Sequence, residues 1–264
     1  MSEISKEAAM ENLLESFKQV KTRRAMLKGA VAATGAVAGA GALSALPAFA
    51  STDRAVGATG RAGAAATGGT FKYNKPAVDS VATILTVART AEQLAVTFYS
   101  HGIANASQLG ISGDNLDYLK AALVEEQIHQ QFFAANGGSS LTETFSFPNG
   151  AQTFTDLKTF INTQQQLEGV FDSAFLAAVL EFAQMGRPDL AQIAAQIATV
   201  EEGHRTLGRI IGSLSPAENF AYTPVLVATV GDAPALVQKA GYLSPVSGNS
   251  YTYQQVSTEN SGVQ

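Results

Sequence analysis

Apolar side chains recur at helical spacing in four segments of the chain, and each segment is bounded by residues that typically start or stop a helix. This pattern predicts four long helices. They run from Asp79 or Ser80 through Tyr99 to a break at Gly102, from Asp114 or Asn115 to Gly137-Gly138, from Thr155-Asp156 to Met185, and from Arg187-Pro188-Asp189 to about Ser213.

The links between these segments differ in length. The first and third links are short enough to join antiparallel neighbours, whereas residues 136–154 form a long link that contains Pro148 and Gly150. A long connection between the second and third helices is typical of bundles with one crossover. We therefore predict an all-α fold, with a four-helix bundle over residues 78–213.

The C-terminal part, residues 214–264, has a different composition. It contains four prolines and only one segment with a helical pattern, from Asp232 to Ala240. Its last twenty residues are rich in Ser, Tyr, Gln and Asn, which is typical of a loosely packed or disordered tail. We predict a Pro-rich extension with one short helix.

The first fifty residues have the features of an export signal. Arg23 and Arg24 precede an apolar run rich in Ala and Gly over residues 30–43, and residues 48–50 form an Ala-x-Ala cleavage site. We predict a twin-arginine signal peptide over residues 1–50 and a flexible linker over residues 51–77. The twin-arginine export machinery would then deliver the protein to the periplasm or the cell exterior. An uncleaved membrane anchor is the alternative.

Charge and cysteine content narrow the classes of function. The net charge of −5 does not suit a nucleic-acid-binding protein, which needs a basic surface. The chain contains no cysteine, so disulfides, thiolate metal sites and redox thiols are excluded. A metal ion bound to this chain would have oxygen and nitrogen ligands.

Two of the three histidines lie in the same short motif, Glu-x-x-His, which occurs at Glu126 with His129 and at Glu201 with His204. A further glutamate precedes each pair at nearly the same distance, since Glu92 lies 34 residues before Glu126 and Glu168 lies 33 residues before Glu201. We call each set a half-site. The first consists of Glu92, Glu126 and His129, and the second of Glu168, Glu201 and His204.

The repeated half-site predicts a dinuclear metal centre. Residues three apart on a helix lie on the same face, so the Glu and His of each motif point in the same direction. Four buried carboxylates would need compensating charge, which two divalent cations supply. One imidazole and several carboxylates for each ion favour iron or manganese. Glu181 is the next candidate if the assignment of Glu168 is wrong.

Several neighbouring residues allow more than one interpretation. Asp172 could orient a ligand histidine or could be a polar residue at a helix interface. For Tyr99 we favour a core position over a redox role, while keeping it as a candidate neighbour of the ligands. Glu125 and Glu202 are expected on solvated helix faces, and His101 on the surface near the end of the first helix.

With these six candidate ligands, residues 78–213 resemble the ferritin-like superfamily, in particular exported ferritin-like domain proteins related to desiccation-associated proteins. The resemblance implies a ferritin-like four-helix bundle that holds two iron ions, or alternatively two manganese ions. Members with both half-sites include ferroxidases, peroxide-reducing enzymes and dimanganese catalases. The chain lacks a Cys-rich iron module, and its export signal and Pro-rich tail do not resemble a cage-forming ferritin subunit.

The resemblance supports an exported di-metal oxidoreductase that acts on O2 or H2O2. One alternative is a stress-related or desiccation-related structural or binding protein, in which the metal ions only stabilise the bundle. Another is a bundle that binds only zinc. The sequence leaves the oligomeric state open, with a homo-oligomer as one option.

Overall fold

Four long helices pack into a bundle in a computed structural model that describes residues 78–259 and residue 263. The predicted signal peptide and linker lie outside the described residues. The helices are α1 (Val81–Ala104), α2 (Ala106–Leu109), α3 (Asp114–Ala135), α4 (Leu157–Gln184), α5 (Pro188–Ile211) and α6 (Ala233–Lys239). Two 3-10 helices, Gly150–Phe154 and Val230–Asp232, and two short strands, β1 (Thr144–Phe145) and β2 (Tyr251–Thr252), complete the elements.

The helix ends follow from local chemistry. The Ser80 side chain accepts a hydrogen bond from the backbone N–H of Thr83 at the start of α1. Asp156 caps α4 in the same way through the N–H of Thr159. Pro188 occupies the first position of α5, where its missing N–H has no consequence. Two of the four long helices therefore begin at side-chain caps that the sequence predicts, and a third begins at the predicted proline.

The predicted end of the first helix is wrong by two residues. Helix α1 continues through Gly102 to Ala104. The glycine is there for packing, because a Cβ atom at position 102 would lie 2.5 Å from Cε2 of the buried Phe160 ring. Gly102 thus lets α1 approach the start of α4 closely.

The bundle consists of two antiparallel helix pairs. Helix α1 packs mainly against α3, and α4 packs mainly against α5. Arg89 near the start of α1 donates to the carbonyl of Gly138 just after α3, and Gln165 near the start of α4 donates to the carbonyl of Arg205 near the end of α5. Because Phe160 of α4 meets Gly102 of α1, the link from α3 to α4 crosses the length of the bundle. The fold is all-α with one long crossover, as predicted.

The C-terminal extension packs on the bundle instead of forming a loose tail. Strand β2 pairs antiparallel with β1 of the crossover, with Thr252 opposite Thr144 and Tyr251 opposite Phe145. Farther along, the Tyr253 hydroxyl and the N–H of Val256 both donate to the side chain of Gln127. The prediction of a loosely packed tail is therefore wrong for residues 251–256, where aromatic packing and these hydrogen bonds hold the chain.

Helix α6 is the short helix predicted in the extension, and it follows the 3-10 turn Val230–Asp232. A buried carboxylate ties this region to the start of the bundle. Glu181 of α4 accepts from the backbone N–H groups of Asp79 and Val230, and Asp79 accepts from Gly231. Within the described residues, no helix has the length and apolar content needed to cross a membrane.

We predict that Tyr251→Ala lowers the free energy of unfolding by about 2–3 kcal/mol, somewhat less than the loss of a fully buried aromatic side chain. The Tyr251 ring contacts the rings of Phe147, Phe154 and His101. Urea unfolding of the purified variant measures the change. Tyr222→Ala is the matched control, because Tyr222 is 91% exposed. Its replacement should change the free energy of unfolding by no more than about 0.5 kcal/mol. Equal stability of the two variants would show that the tail is not packed.

Candidate metal centre

The six residues of the two half-sites meet in the middle of the bundle. Helices α1, α3, α4 and α5 each contribute one glutamate, and α3 and α5 each add a histidine. The four glutamates and His204 have at most 1% exposure, while the His129 side chain is 12% exposed. Local sequence explains this placement, since each Glu-x-x-His pair occupies one inward face of its helix.

The six side chains divide into two overlapping groups, each with ligand atoms within 4.8 Å of one another. The first position combines Glu92, Glu126, His129 and Glu201, and the second combines Glu126, Glu168, Glu201 and His204. Two glutamates belong to both groups. These are Glu126 and Glu201, one from each Glu-x-x-His motif, and they lie where carboxylates that bridge two ions would be needed.

Distances within the cluster support the shared role of these two carboxylates. Glu126 directs Oε2 toward Nδ1 of His129, at 3.5 Å, and Oε1 toward Nδ1 of His204, at 3.0 Å. Glu201 divides its oxygens in the same way, with Oε1 3.5 Å from His129 and Oε2 3.3 Å from His204. Each central carboxylate thus faces both positions at once.

The outer glutamates each serve one position. Glu92 Oε2 lies 3.7 Å from Nδ1 of His129, and Glu168 Oε2 lies 3.9 Å from Nδ1 of His204. The arrangement has the approximate two-fold symmetry that the repeated spacing indicates. Both histidines present Nδ1, and not Nε2, to the four glutamates of the cluster.

The protein alone leaves the polar atoms of this cluster poorly satisfied. Both carboxylate oxygens of Glu92, Oε2 of Glu168 and Nδ1 of His129 are buried without a hydrogen-bond partner. Within residues 78–259, no lysine or arginine forms an ion pair with any of the six side chains. Buried polar atoms without partners each cost about 1–3 kcal/mol, and more if they are charged. A pair of cations would satisfy both the atoms and the charge, so the donor set fits two metal ions.

The shifts in pKa indicate that bound protons reduce the negative charge of the cluster. Burial raises the pKa of Glu92 well above its usual range, and the neighbouring Glu126 adds to the effect. Burial also raises the pKa of Glu168. Burial acts in the same direction on Glu126, but the two imidazoles outweigh it and hold the pKa of Glu126 below its usual range. Burial opposes a charged His129, yet contacts with three carboxylates raise its pKa.

Metal ions would therefore compete with protons for the same atoms. Since Glu92, Glu168 and His129 have raised pKa values, they must lose protons before they can bind a cation. Metal binding should release protons, and metal affinity should fall as the pH falls.

Glu125 orients His204, a role that sequence reasoning did not predict. Its Oε2 lies 2.8 Å from Nε2 of His204, which fixes the ring with Nδ1 toward the cluster. The expectation that Glu125 lies on a solvated face is only partly correct, because its side chain is 31% exposed. The two half-sites are unequal here. Val200 is the counterpart of Glu125 in the second motif and offers no carboxylate to His129.

Tyr99 and Gln164 complete the surroundings of the second position. The fully buried Tyr99 hydroxyl donates to Oε1 of Glu168. Gln164 donates both to the Tyr99 hydroxyl, at 3.1 Å, and to the carbonyl of His204, at 2.7 Å. Tyr99 is thus a core residue, as we favoured, and it also contacts one of the candidate ligands.

Other candidates lie outside the cluster. Asp172 is buried but forms no hydrogen bond with either cluster histidine, and it lies near Glu202. Glu202 itself pairs with Arg205 through two short contacts of 2.7 and 2.8 Å. Glu181 binds backbone N–H groups and does not replace Glu168.

His101 belongs to neither of the two groups of candidate ligands. Its ring packs against Phe154 and Tyr251 in the last turn of α1, where we expected a surface position.

A family model for the ferritin-like domain matches residues 80–211, which is the bundle from the N-cap of α1 to the end of α5. The chain belongs to the ferritin-like domain family. Searches of the curated proteins and of the solved structures found no match. The family match covers all six residues of the two half-sites, while α6 and β2 lie outside it.

We predict that Glu125→Ala weakens metal binding at the second position of this ferritin-like domain by about 10- to 100-fold, the usual effect of removing a carboxylate that orients a ligand histidine. Isothermal titration with Fe²⁺ or Mn²⁺ under anaerobic conditions measures both positions. Asp117→Ala is the matched control on the same helix, since the Asp117 side chain is 73% exposed and pairs only with Lys120. Unchanged affinity in Glu125→Ala would mean that the contact with His204 does not orient a ligand.

A second prediction concerns Asp172. Burial, with the neighbouring Glu202 carboxylate, raises the pKa of Asp172 from 3.8 to about 8. The folded protein therefore holds this proton more tightly than the unfolded chain does, so the contribution of Asp172 to stability is lost as the pH rises from 3.8 to about 8. Asp172→Asn resembles the protonated acid and should flatten this decline.

Urea unfolding between pH 5 and pH 8 tests this prediction through the slope of the unfolding free energy against pH. Asp189→Asn is the control, because Asp189 is an exposed partner of Arg187 with a lowered pKa and titrates below this range. Identical slopes for the wild type and Asp172→Asn would contradict the prediction.

Proposed function

We propose that this protein is an exported dinuclear metal protein that uses two iron ions, or alternatively two manganese ions, to react with O2 or H2O2. The activity would be of the ferroxidase, peroxidase or catalase type. The observation that carries the proposal is the division of oxygens in Glu126 and Glu201, each of which faces both histidines. A single-ion site would not need two carboxylates arranged in this way.

The ligands of each ion follow from the two overlapping groups. Glu92 and His129 would serve only the first ion, and Glu168 and His204 only the second. Two divalent cations balance four carboxylates and leave both imidazoles neutral, which removes the need for the protons that the cluster otherwise binds. Iron or manganese in such a site supplies one-electron redox chemistry and open coordination positions for an oxygen species.

The surrounding residues prepare the site for this chemistry. Bundle packing keeps the carboxylates at 0–1% exposure, so bulk water is excluded and electrostatic interactions are strong. With metal bound, Glu125 would accept the proton of Nε2 of His204 in a hydrogen bond, and Nδ1 would be the ligand atom. The Tyr99 hydroxyl donates to one oxygen of Glu168 and leaves the other available.

The predicted export signal is consistent with this proposal. Arg23, Arg24 and the Ala-x-Ala site at residues 48–50 are features of the twin-arginine route, which carries folded proteins in families where it is understood. Affinity order alone would favour copper or zinc over iron or manganese. Loading the metal before export would avoid that competition, so we place the mature protein in the periplasm or outside the cell.

Metal analysis of three glutamate variants tests the proposal. We expect Glu92→Ala and Glu168→Ala each to reduce binding mainly at one position, so that a protein with two ions retains about one. Glu126→Ala should weaken both positions, because both groups include Glu126. Stoichiometry by elemental analysis and anaerobic titration with Fe²⁺ or Mn²⁺ provides the measurement.

Stopped-flow mixing of the reduced, metal-loaded protein with O2 and with H2O2 then tests the activity. Oxidation of the centre by either reagent supports an oxidoreductase. Two bound ions that raise the melting temperature but react with neither reagent would favour the structural role instead. Failure to bind iron or manganese at all would contradict the proposal.

A further inference from the structure

An apolar cavity of about 50 Å³ lies inside one end of the bundle. At this end α1 and α5 begin and α3 and α4 end, and all four helices contribute to the wall. The C-terminal extension forms part of the wall through Val230, Ala233 and Val237, among others, and these residues lie outside the part of the chain that matches the ferritin-like family model. The cavity is thus completed by a segment that the family match does not cover.

The wall of the cavity offers no hydrogen bonds to a ligand. Among its lining residues only Thr90 has a polar side chain, and the hydroxyl of Thr90 is already engaged. It donates to the carbonyl of Thr86, at 2.8 Å, and accepts from the N–H of Leu141, at 3.0 Å. A buried water needs two to four polar partners, so a space of this kind stays dry and takes apolar ligands.

The cavity lies close to the metal cluster along two of the helices. On α1 its wall includes Ala91 and Leu94, on either side of Glu92, and on α4 it includes Val170 and Phe171, just after Glu168. At about 1.5 Å per residue along a helix, these positions lie within about 5 Å of the glutamates along the helix axes. None of the six cluster residues lines the cavity, but the wall includes residues within one helical turn of both outer glutamates.

The same wall reaches the surface at Leu141 in the crossover. Leu141 is 54% exposed, whereas the helical residues that line the cavity are largely buried. An exposed leucine at the opening and buried apolar residues farther inside form an apolar lining. The apolar wall thus extends from the exposed Leu141 to residues within one helical turn of the outer glutamates.

We propose that the cavity binds dioxygen and leads it to the metal cluster, an inference that rests on the function proposed above and selects O2 as the oxidant. Its size favours a small ligand, because the engineered apolar cavity that takes up benzene, at about 150 Å³, is roughly three times larger. Its polarity excludes H2O2, which would lose its hydrogen bonds to water and gain none from the wall. Dissolved O2 is small and apolar, and a redox centre next to the cavity would consume it.

Xenon tests the binding step without reference to activity. Crystals of the full chain under xenon pressure should show a xenon atom in the cavity. Ala178→Leu places a larger side chain into the wall and should abolish the xenon peak, while Ala177→Leu should keep it. The two alanines are adjacent on α4 and have 2% and 3% exposure, but only Ala178 lines the cavity. Ala194→Leu, on α5, gives a second filled variant if Ala178→Leu does not fold.

Stopped-flow kinetics test the second step with both oxidants. In the reduced, metal-loaded protein we expect Ala178→Leu to slow oxidation by O2 about tenfold, equivalent to about 1.4 kcal/mol of barrier. Oxidation by H2O2 should be the same in Ala178→Leu and wild type, and Ala177→Leu should leave both rates unchanged.

The two sets of measurements separate failure of this inference from failure of the proposed function. Absence of xenon from the wild-type cavity, or an alkyl chain found in its place, would overturn the inference and leave the metal chemistry untouched. An equal loss of rate with both oxidants in Ala178→Leu would overturn it as well. A wild-type protein that binds metal but reacts with neither oxidant would contradict the proposed function, and the inference with it, even if xenon binds.

Discussion

The burial of four carboxylates at one point of the bundle is the constraint on which the rest of this structure depends. Glu92, Glu126, Glu168 and Glu201 have almost no contact with water, and no lysine or arginine among the described residues pairs with them. Apart from metal ions, only protons and the two imidazoles are at hand to reduce this charge. The raised pKa values of Glu92 and Glu168 express the same constraint. A bundle that placed four carboxylates here only for packing would lose stability without gaining a function.

Those parts of the fold and site that depend on local periodicity could be predicted from the sequence. Spacing of three between Glu and His identifies an inward helix face, and caps such as Ser80 and Asp156 define where helices start. The repeat of the whole half-site then places six residues in one cluster, because an antiparallel bundle brings equivalent positions of its helices together. Both predictions rest on interactions within a single helix or on symmetry between two copies.

Features that depend on how the helices rotate and slide against each other could not be predicted. The contact between Glu125 and His204 joins residues 79 positions apart on different helices, and no local pattern indicates it. The prediction of a helix break at Gly102 is wrong for the same reason, because glycine at this position accommodates Phe160 of another helix. The prediction of a loosely packed tail is wrong because composition does not indicate which side chains pack. Tyr251 lies in a polar segment but packs between aromatic rings of the crossover and α1.

The contact of the C-terminal segment with Gln127 bears on when the protein can finish folding. Gln127 follows Glu126 directly, is fully buried, and accepts hydrogen bonds from Tyr253 and Val256. A growing chain on the ribosome lacks these partners until synthesis has passed Val256. The surroundings of Glu126 therefore reach their final form only after residues 253–256 have been made. The final form of the surroundings of Glu126 thus depends on a segment that lies 126 to 129 residues farther along the chain than Gln127.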